Sequence, residues 1–219
     1  MRKLSLTLLA ACFTIRGASA GEVRGVVKFA GAPPAATPLR VTKDTRTCGA
    51  EVPDESLLVE NGRLANVVVS VKGAPAAPPA HATLDQQGCR FVPHVQAVPL
   101  GSTLEIANDD PLLHNIHGWL GRMTEFNVPQ PSKGMRTPAK LERPGVIAVR
   151  CDVHGWMSAW LVVAEGPAAV AGRDGSFTLR DVPPGSYTVT AWHERLGEKT
   201  AQVKVPAQGS AAVEFTFGG

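Results

Sequence analysis

From Val23 onward the chain is a succession of short runs rich in β-branched residues. "VRGVVKFAG", "LANVVVSV", "RFVPHVQAV", "STLEIAND" and "GVIAVRC" come first, and "MSAWLVVAEG", "GSFTLRDV", "GSYTVTAWH", "TAQVKV" and "AAVEFTF" follow, with Gly, Pro and Asp between them. Branched side chains fit a pleated sheet, and the punctuating residues cut it into short strands. No segment sustains a helical period, and at most a short turn is expected near Asp44–Val52. Short strands at a spacing of roughly 8–12 residues predict an all-β fold of sandwiches or barrels. Two Pro/Ala-rich stretches, residues 30–38 and 73–80, read as loops or spacers, and "AEGPAAVAGRDG" marks a seam near Glu165. The sequence shows no internal repeat.

The first twenty residues carry a different pattern. Arg2 and Lys3 precede a short apolar run that closes on Ala18-Ser19-Ala20, the form of a secretory leader cleaved after Ala20. The run is too short to span a membrane. The same stretch holds "LAAC", ending at Cys12, which matches the lipobox of bacterial lipoproteins; the short run and the bulky Phe13 favour cleavage at Ala20 over a lipid anchor at Cys12. Residues 1–20 contain three of the 22 basic residues and none of the 19 acidic ones, so residues 21–219 are balanced at 19 against 19. That balance gives no reason to expect nucleic acid or an anionic membrane as a partner. The leader implies a periplasmic or secreted protein.

Three of the four cysteines lie beyond the leader: Cys48, Cys89 and Cys151. An odd count in an oxidising compartment implies one disulfide and one thiol with another task. Cys151 lies in "CDVHGWM", residues 151–157, which puts a thiol, an imidazole and a thioether within seven residues. Cys48 is therefore expected to pair with Cys89. Cys151 ends one expected strand and Met157 begins the next, so the loop between them presents its side chains at one pole of a sandwich. A further ligand is needed from another loop at that pole, and "NDDPLLHNIH", residues 108–117, supplies His114. A thiolate, two imidazoles and a weak thioether suit copper cycling between two oxidation states. Zinc accepts the first three of these, but it usually completes a tetrahedron with a fourth N, O, S or water ligand.

These motifs resemble the cupredoxins, small blue-copper proteins, with loop lengths nearest to amicyanin. "HNIH" is similar to the family's upstream histidine motif, which implies His114 as ligand and Asn115 as the residue bracing it. "CDVHGWM" is similar to its Cys-x2-His-x2-Met loop, which implies Cys151, His154 and an axial Met157 around one type 1 copper per chain. Thirty-six residues separate His114 from Cys151, as the family pattern asks. The resemblance spans residues 62–164. The amicyanin-like loop carries prolines beside its second histidine where this chain has Val153 and Gly155, a departure that bears on the reduction potential and on how firmly His154 stays seated. Residues 165–219, with "DGSFTLRDVPPGSYTVTAWHERLG", resemble a carboxypeptidase regulatory-like module, a small transthyretin-like sandwich. Residues 21–61 form an N-terminal β segment that either stands apart or opens that second sandwich.

The resemblance implies a periplasmic electron carrier of the methylamine-utilisation type, with a c-type cytochrome or a quinoprotein dehydrogenase as redox partner, and no bond chemistry of its own. Copper storage, delivery or tolerance is the alternative, although Met- and His-rich tails are absent. Beyond the leader, the sequence also lacks the His-x-His pairs of multicopper oxidases, the His-x-x-Glu motif of zinc carboxypeptidases and a GxSxG elbow. The remaining soft or imidazole groups have ordinary expectations. His117 is a surface or bracing residue, His94 a strand histidine or an auxiliary metal ligand, and His81 a solvated loop residue. Met123 and Met135 fill gaps or cover an apolar patch, and Trp119 and Trp156 pack beside the ligand loops.

Overall fold

The N-terminal strand Gly21–Phe29 lies in the middle of a sheet whose other long members come from the far end of the chain. It runs antiparallel to Ser176–Val182 and parallel to Ser210–Phe217. Its alternation turns Val23 and Val27 inward, both fully buried. Gly25 is required there, because a Cβ would lie 1.9 Å from the Val213 carbonyl oxygen and 2.5 Å from the Phe177 ring. The computed structural model describes residues 21–218. The leader expected in residues 1–20, with Cys12, lies outside the described residues.

The facing sheet has the order Ala168–Val170, Val68–Lys72, Gly185–His193, Gly197–Val205. Leu64, Val69, Val71, Leu179, Val189 and Phe215 fill the space between the two sheets. This terminal sandwich is therefore assembled from both ends of the chain. Two assignments from the sequence fall differently. Val68–Lys72, expected at the start of a 62–164 module, pairs with Gly185–His193 and Ala168–Val170 and buries Val69 and Val71 in the terminal core. Ala168–Val170, in the seam marked near Glu165, is a strand. A run such as "VVSV" states its period and its apolar face, but not which sheet it will join.

Between these strands the chain builds a second, inserted sandwich. One sheet has the order Met135–Lys140, Thr103–Asn108, His81–Gln86, Phe91–Val92. The other runs Met123–Gln130, His114–Leu120, Gly145–Arg150, Ser158–Ala164, Val95–Pro99. Parallel pairs join Thr103–Asn108 to His81–Gln86 and Ser158–Ala164 to Val95–Pro99, giving the crossed connections of a Greek key. Leu84, Leu104, Ile106, Ile116, Ile147 and Leu161 are fully buried between the sheets.

The expected all-β architecture holds: among the described residues the one helix is the single turn Thr45–Cys48. None of them forms a helix long and apolar enough to cross a membrane. The two sandwiches meet at a buried polar contact. His94 Nδ1 donates to the Ser158 carbonyl at 3.1 Å, and Nε2 donates to Glu194, a residue of the terminal sandwich. Burial lowers the His94 pKa, but the Glu194 carboxylate outweighs it and leaves the imidazole above its ordinary value. Trp160 Nε1 donates to the other Glu194 oxygen at 2.8 Å, and its ring meets Trp192 edge-on.

A chain ending at Glu165 would leave Val23, Val27, Val69 and Val71 without partners and would strip Glu194 from His94. It is expected to aggregate on expression. A soluble monomer with the parent's β-sheet circular dichroism would contradict this division of the two cores.

Candidate metal centre

Strand register sets the position of every candidate ligand. Gly145–Arg150 and Ser158–Ala164 pair antiparallel from Gly145↔Val163 to Arg150↔Ser158, so residues 151–157 form the connecting loop at one pole. That loop closes on itself, with the Met157 N–H donating to the His154 carbonyl at 2.9 Å. His114 is the first residue of its strand and pairs with Gln130, while His117 reaches the register of Arg150. Successive side chains alternate across a sheet, so His114 and His117, three apart, face opposite sides.

His114, Cys151 and His154 come together, and their ligand atoms all lie within 4.8 Å of one another. His114 Nδ1 stands 2.9 Å from His154 Nδ1, and Cys151 Sγ stands 3.8 Å from His154 Nδ1. The three residues are 0, 1 and 3% exposed in the order His114, His154, Cys151. Each imidazole has its other nitrogen on a carboxylate: His114 Nε2 on Asp110 at 3.0 Å and His154 Nε2 on Asp44 at 2.9 Å. A carboxylate only accepts, so both Nε2 atoms carry the proton and both Nδ1 atoms point into the shared space.

Electrostatics sharpen the arrangement. Burial alone would push the Cys151 thiol up, but a hydrogen bond from His114 and the N–H groups of Asn115, His154 and Val153 bring it down to about 6. Burial would push His114 down, but Asp110 and the Cys151 sulfur raise it to about 9. Asp110 is itself held below its ordinary value: burial opposes this, and hydrogen bonds from His114 and from the N–H groups of Cys89 and Gly88 outweigh it. Between those two pH values Cys151 is a thiolate and His114 an imidazolium. A thiolate with two Nδ1 donors, enclosed and turned toward one point, fits a borderline or soft transition-metal ion.

The other expected residues fall as follows. Met157, the last residue of the ligand loop, is buried and belongs to the inserted sandwich's core. Asn115 ties the loop to the upstream strand: its Oδ1 accepts the Asp152 N–H at 2.7 Å and its Nδ2 donates to Asp152 Oδ2 at 2.9 Å. His117 lies on the opposite face, stacked on Trp119 at 3.5 Å and bonded to Asp152 and Thr124. Cys48 and Cys89 form the expected disulfide, and Cys151 is the free thiol. Cys89, Asp110 and His114 also converge, but the Cys89 sulfur is committed to the disulfide and offers no thiolate. His94 is engaged at the sandwich junction, and His81 is exposed. His193 is fully buried, pushed down to about 4 by that burial, with Nδ1 accepting from the Arg195 N–H. Met123 is exposed and Met135 half-buried. Trp156 lies 5.0 Å from the His154 ring and donates to the Cys89 carbonyl at 3.1 Å.

Sequence reasoning missed three carboxylates. Asp110 stands four residues before His114 and Asp152 directly after Cys151, so proximity was a usable signal for both. Asp44 stands 110 residues from His154, and no sequence pattern joins them.

No protein-family model matches the chain, and no curated protein does. Solved structures similar to part of it include the copper-containing nitrite reductase of Thermus scotoductus SA-01, at 26% identity and TM-score 0.36, over 42% of this chain. This chain covers 24% of that reductase's length. A purple cupredoxin from Nitrosopumilus maritimus is 24% identical at TM-score 0.34, over 37% of this chain and 98% of the other. An amicyanin mutant in its Cu(I) form is 18% identical at TM-score 0.34, over 43% and 97%.

The thiol shift has a direct consequence in metal-free protein. Its pKa is depressed, so the Cys151 thiolate is present above a midpoint of about 6 and lost as the pH falls through it. Titration of thiolate ultraviolet absorbance reads that midpoint, and His114→Gln is expected to move it upward. A midpoint near the ordinary 9.0, unaltered by His114→Gln, would contradict the arrangement.

Proposed function

We propose that this protein holds one type 1 copper ion at His114, Cys151 and His154, with Met157 as a weak thioether donor, and carries single electrons outside the cytoplasm. The observation supporting this most directly is the pair of Nδ1 atoms 2.9 Å apart, each ring fixed by a carboxylate, beside a thiol brought down to about 6. Bound there, copper supplies a one-electron couple between its two oxidation states. The chain supplies the rest. Cys151 presents its sulfur already deprotonated at neutral pH, and the two carboxylates hold both rings with Nδ1 turned toward the shared space. The strand ends and the Asn115–Asp152 bonds keep the donors in place, and burial keeps water away from them. A thioether beside a thiolate favours copper over zinc. The Cys48–Cys89 disulfide supports an oxidising compartment such as the periplasm. A c-type cytochrome or quinoprotein dehydrogenase fits as the redox partner.

One observation favours a second reading, a protein that keeps copper for storage or delivery. The His154 side chain has no exposed surface, so the ligand edge by which an electron would leave is covered. Electron self-exchange separates the two readings. A carrier exchanges electrons between its Cu(I) and Cu(II) forms rapidly, whereas a storage protein exchanges slowly and surrenders its metal to a chelator.

The proposal predicts an intense visible thiolate-to-Cu(II) band after titration with Cu(II). Cys151→Ser should abolish that band even where copper still binds. Met157→Leu should keep it and raise the reduction potential, because losing a weak thioether donor destabilises Cu(II) more than Cu(I). His114→Gly should weaken it, with added imidazole restoring it, and His117→Ala should leave it unchanged. A band that survives Cys151→Ser, or one bleached by His117→Ala and not by His114→Gly, would overturn the assignment.

A further inference from the structure

The segment Leu39–Val52 crosses the metal pole, although it belongs to neither sandwich. Its two short strands, Leu39–Arg40 and Glu51–Val52, pair with each other, and the turn Thr45–Cys48 lies between them. Val41, Cys48, Val52 and Cys89 form a small core of their own, against which Trp156 packs. The disulfide fixes this strap to the loop that carries Asp110's backbone partners, Gly88 and Cys89.

Asp44 occupies the N-cap of the Thr45–Cys48 turn, where an aspartate ordinarily accepts from the turn's own N–H groups. Its side chain makes no such bond. The carboxylate reaches across to His154 Nε2 at 2.9 Å, while the backbone carbonyl of Asp44 accepts the Cys48 N–H at 3.0 Å. The residue sits in the left-handed region, at φ 53° and ψ 34°, which Asp, Asn and Gly tolerate best. Asp44 is partly exposed, and the imidazole it covers is not.

We propose that Asp44 is a positioning residue for the metal centre: from the disulfide-anchored strap it holds the proton on His154 Nε2, keeps Nδ1 turned toward Cys151, and closes the outer edge of the ring. This rests on the copper reading for its metal-bound consequences and on geometry alone for the metal-free protein.

The test uses the full chain with Asp44→Gly, which suits the left-handed backbone, and Asp44→Asn, which keeps an accepting oxygen. In metal-free protein, nitrogen-15 NMR of the imidazoles should show His154 as the Nε2–H tautomer with a slowly exchanging proton. Asp44→Gly should speed that exchange at least about tenfold and let the Nδ1–H tautomer appear, and Asp44→Asn should restore the parent signature. Cu(II) affinity should fall about 10–100-fold in Asp44→Gly, the usual effect of removing a partner of a ligating histidine. An unchanged tautomer and exchange rate in Asp44→Gly would overturn the proposal, as would lost affinity with the tautomer intact, because Asp44 would then act only through its charge. If the tautomer shifts but Cu(II) gives the parent no thiolate band, Asp44's role stands and the copper reading fails.

Discussion

Two imidazole nitrogens 2.9 Å apart, each on a ring whose other nitrogen already donates to a carboxylate, need a positive charge between them. Without one, two lone pairs would face each other in a space closed to water. In the metal-free protein a proton on His114, kept there against burial by Asp110 and the Cys151 sulfur, supplies the charge, and the Cys151 thiolate balances it. A cation shared by both rings and the sulfur can take the place of that proton. Metal affinity is therefore coupled to proton release, as deprotonated ligands require.

The surrounding structure is arranged around holding those two rings. Asp110 orients His114 and is held in turn by the N–H groups of Gly88 and Cys89. Asp44 orients His154, and its carbonyl accepts the N–H of Cys48. The Cys48–Cys89 disulfide thus joins the supports of both histidines, and Trp156 adds a third tie through the Cys89 carbonyl. Asn115 performs the matching task on the opposite face of its strand, where it fastens Asp152 to the upstream strand. The terminal sandwich contributes at longer range, through the Glu194 contact with His94 and Trp160 behind Ser158.

Much of this was legible because it is local. The Cys-x2-His-x2-Met spacing between two apolar strands places a loop at a sandwich pole wherever the sheets lie, and an odd cysteine count isolates Cys151. The Cys48–Cys89 pairing follows from the same count. What was not legible depends on contacts between distant segments of the chain. The assignment of Val68–Lys72 to the terminal sandwich is decided by packing against Gly185–His193, and its own residues do not announce it. Asp44 reads in sequence as a turn residue, and the packed, disulfide-anchored strap brings it to a ring 110 positions away. The resemblance to an amicyanin-like loop likewise says nothing of a strap over His154, so its burial came from the structure alone.

X-ray absorption at the copper edge tests the central claim most directly, since it reports the atoms around the metal without reference to colour or activity. Protein loaded with one equivalent of Cu(II) should show a single short copper–sulfur path and two imidazole nitrogen paths, with the sulfur path lost in Cys151→Ser. A shell of nitrogen and oxygen alone, or one that is the same in Cys151→Ser, would contradict a centre built on His114, Cys151 and His154.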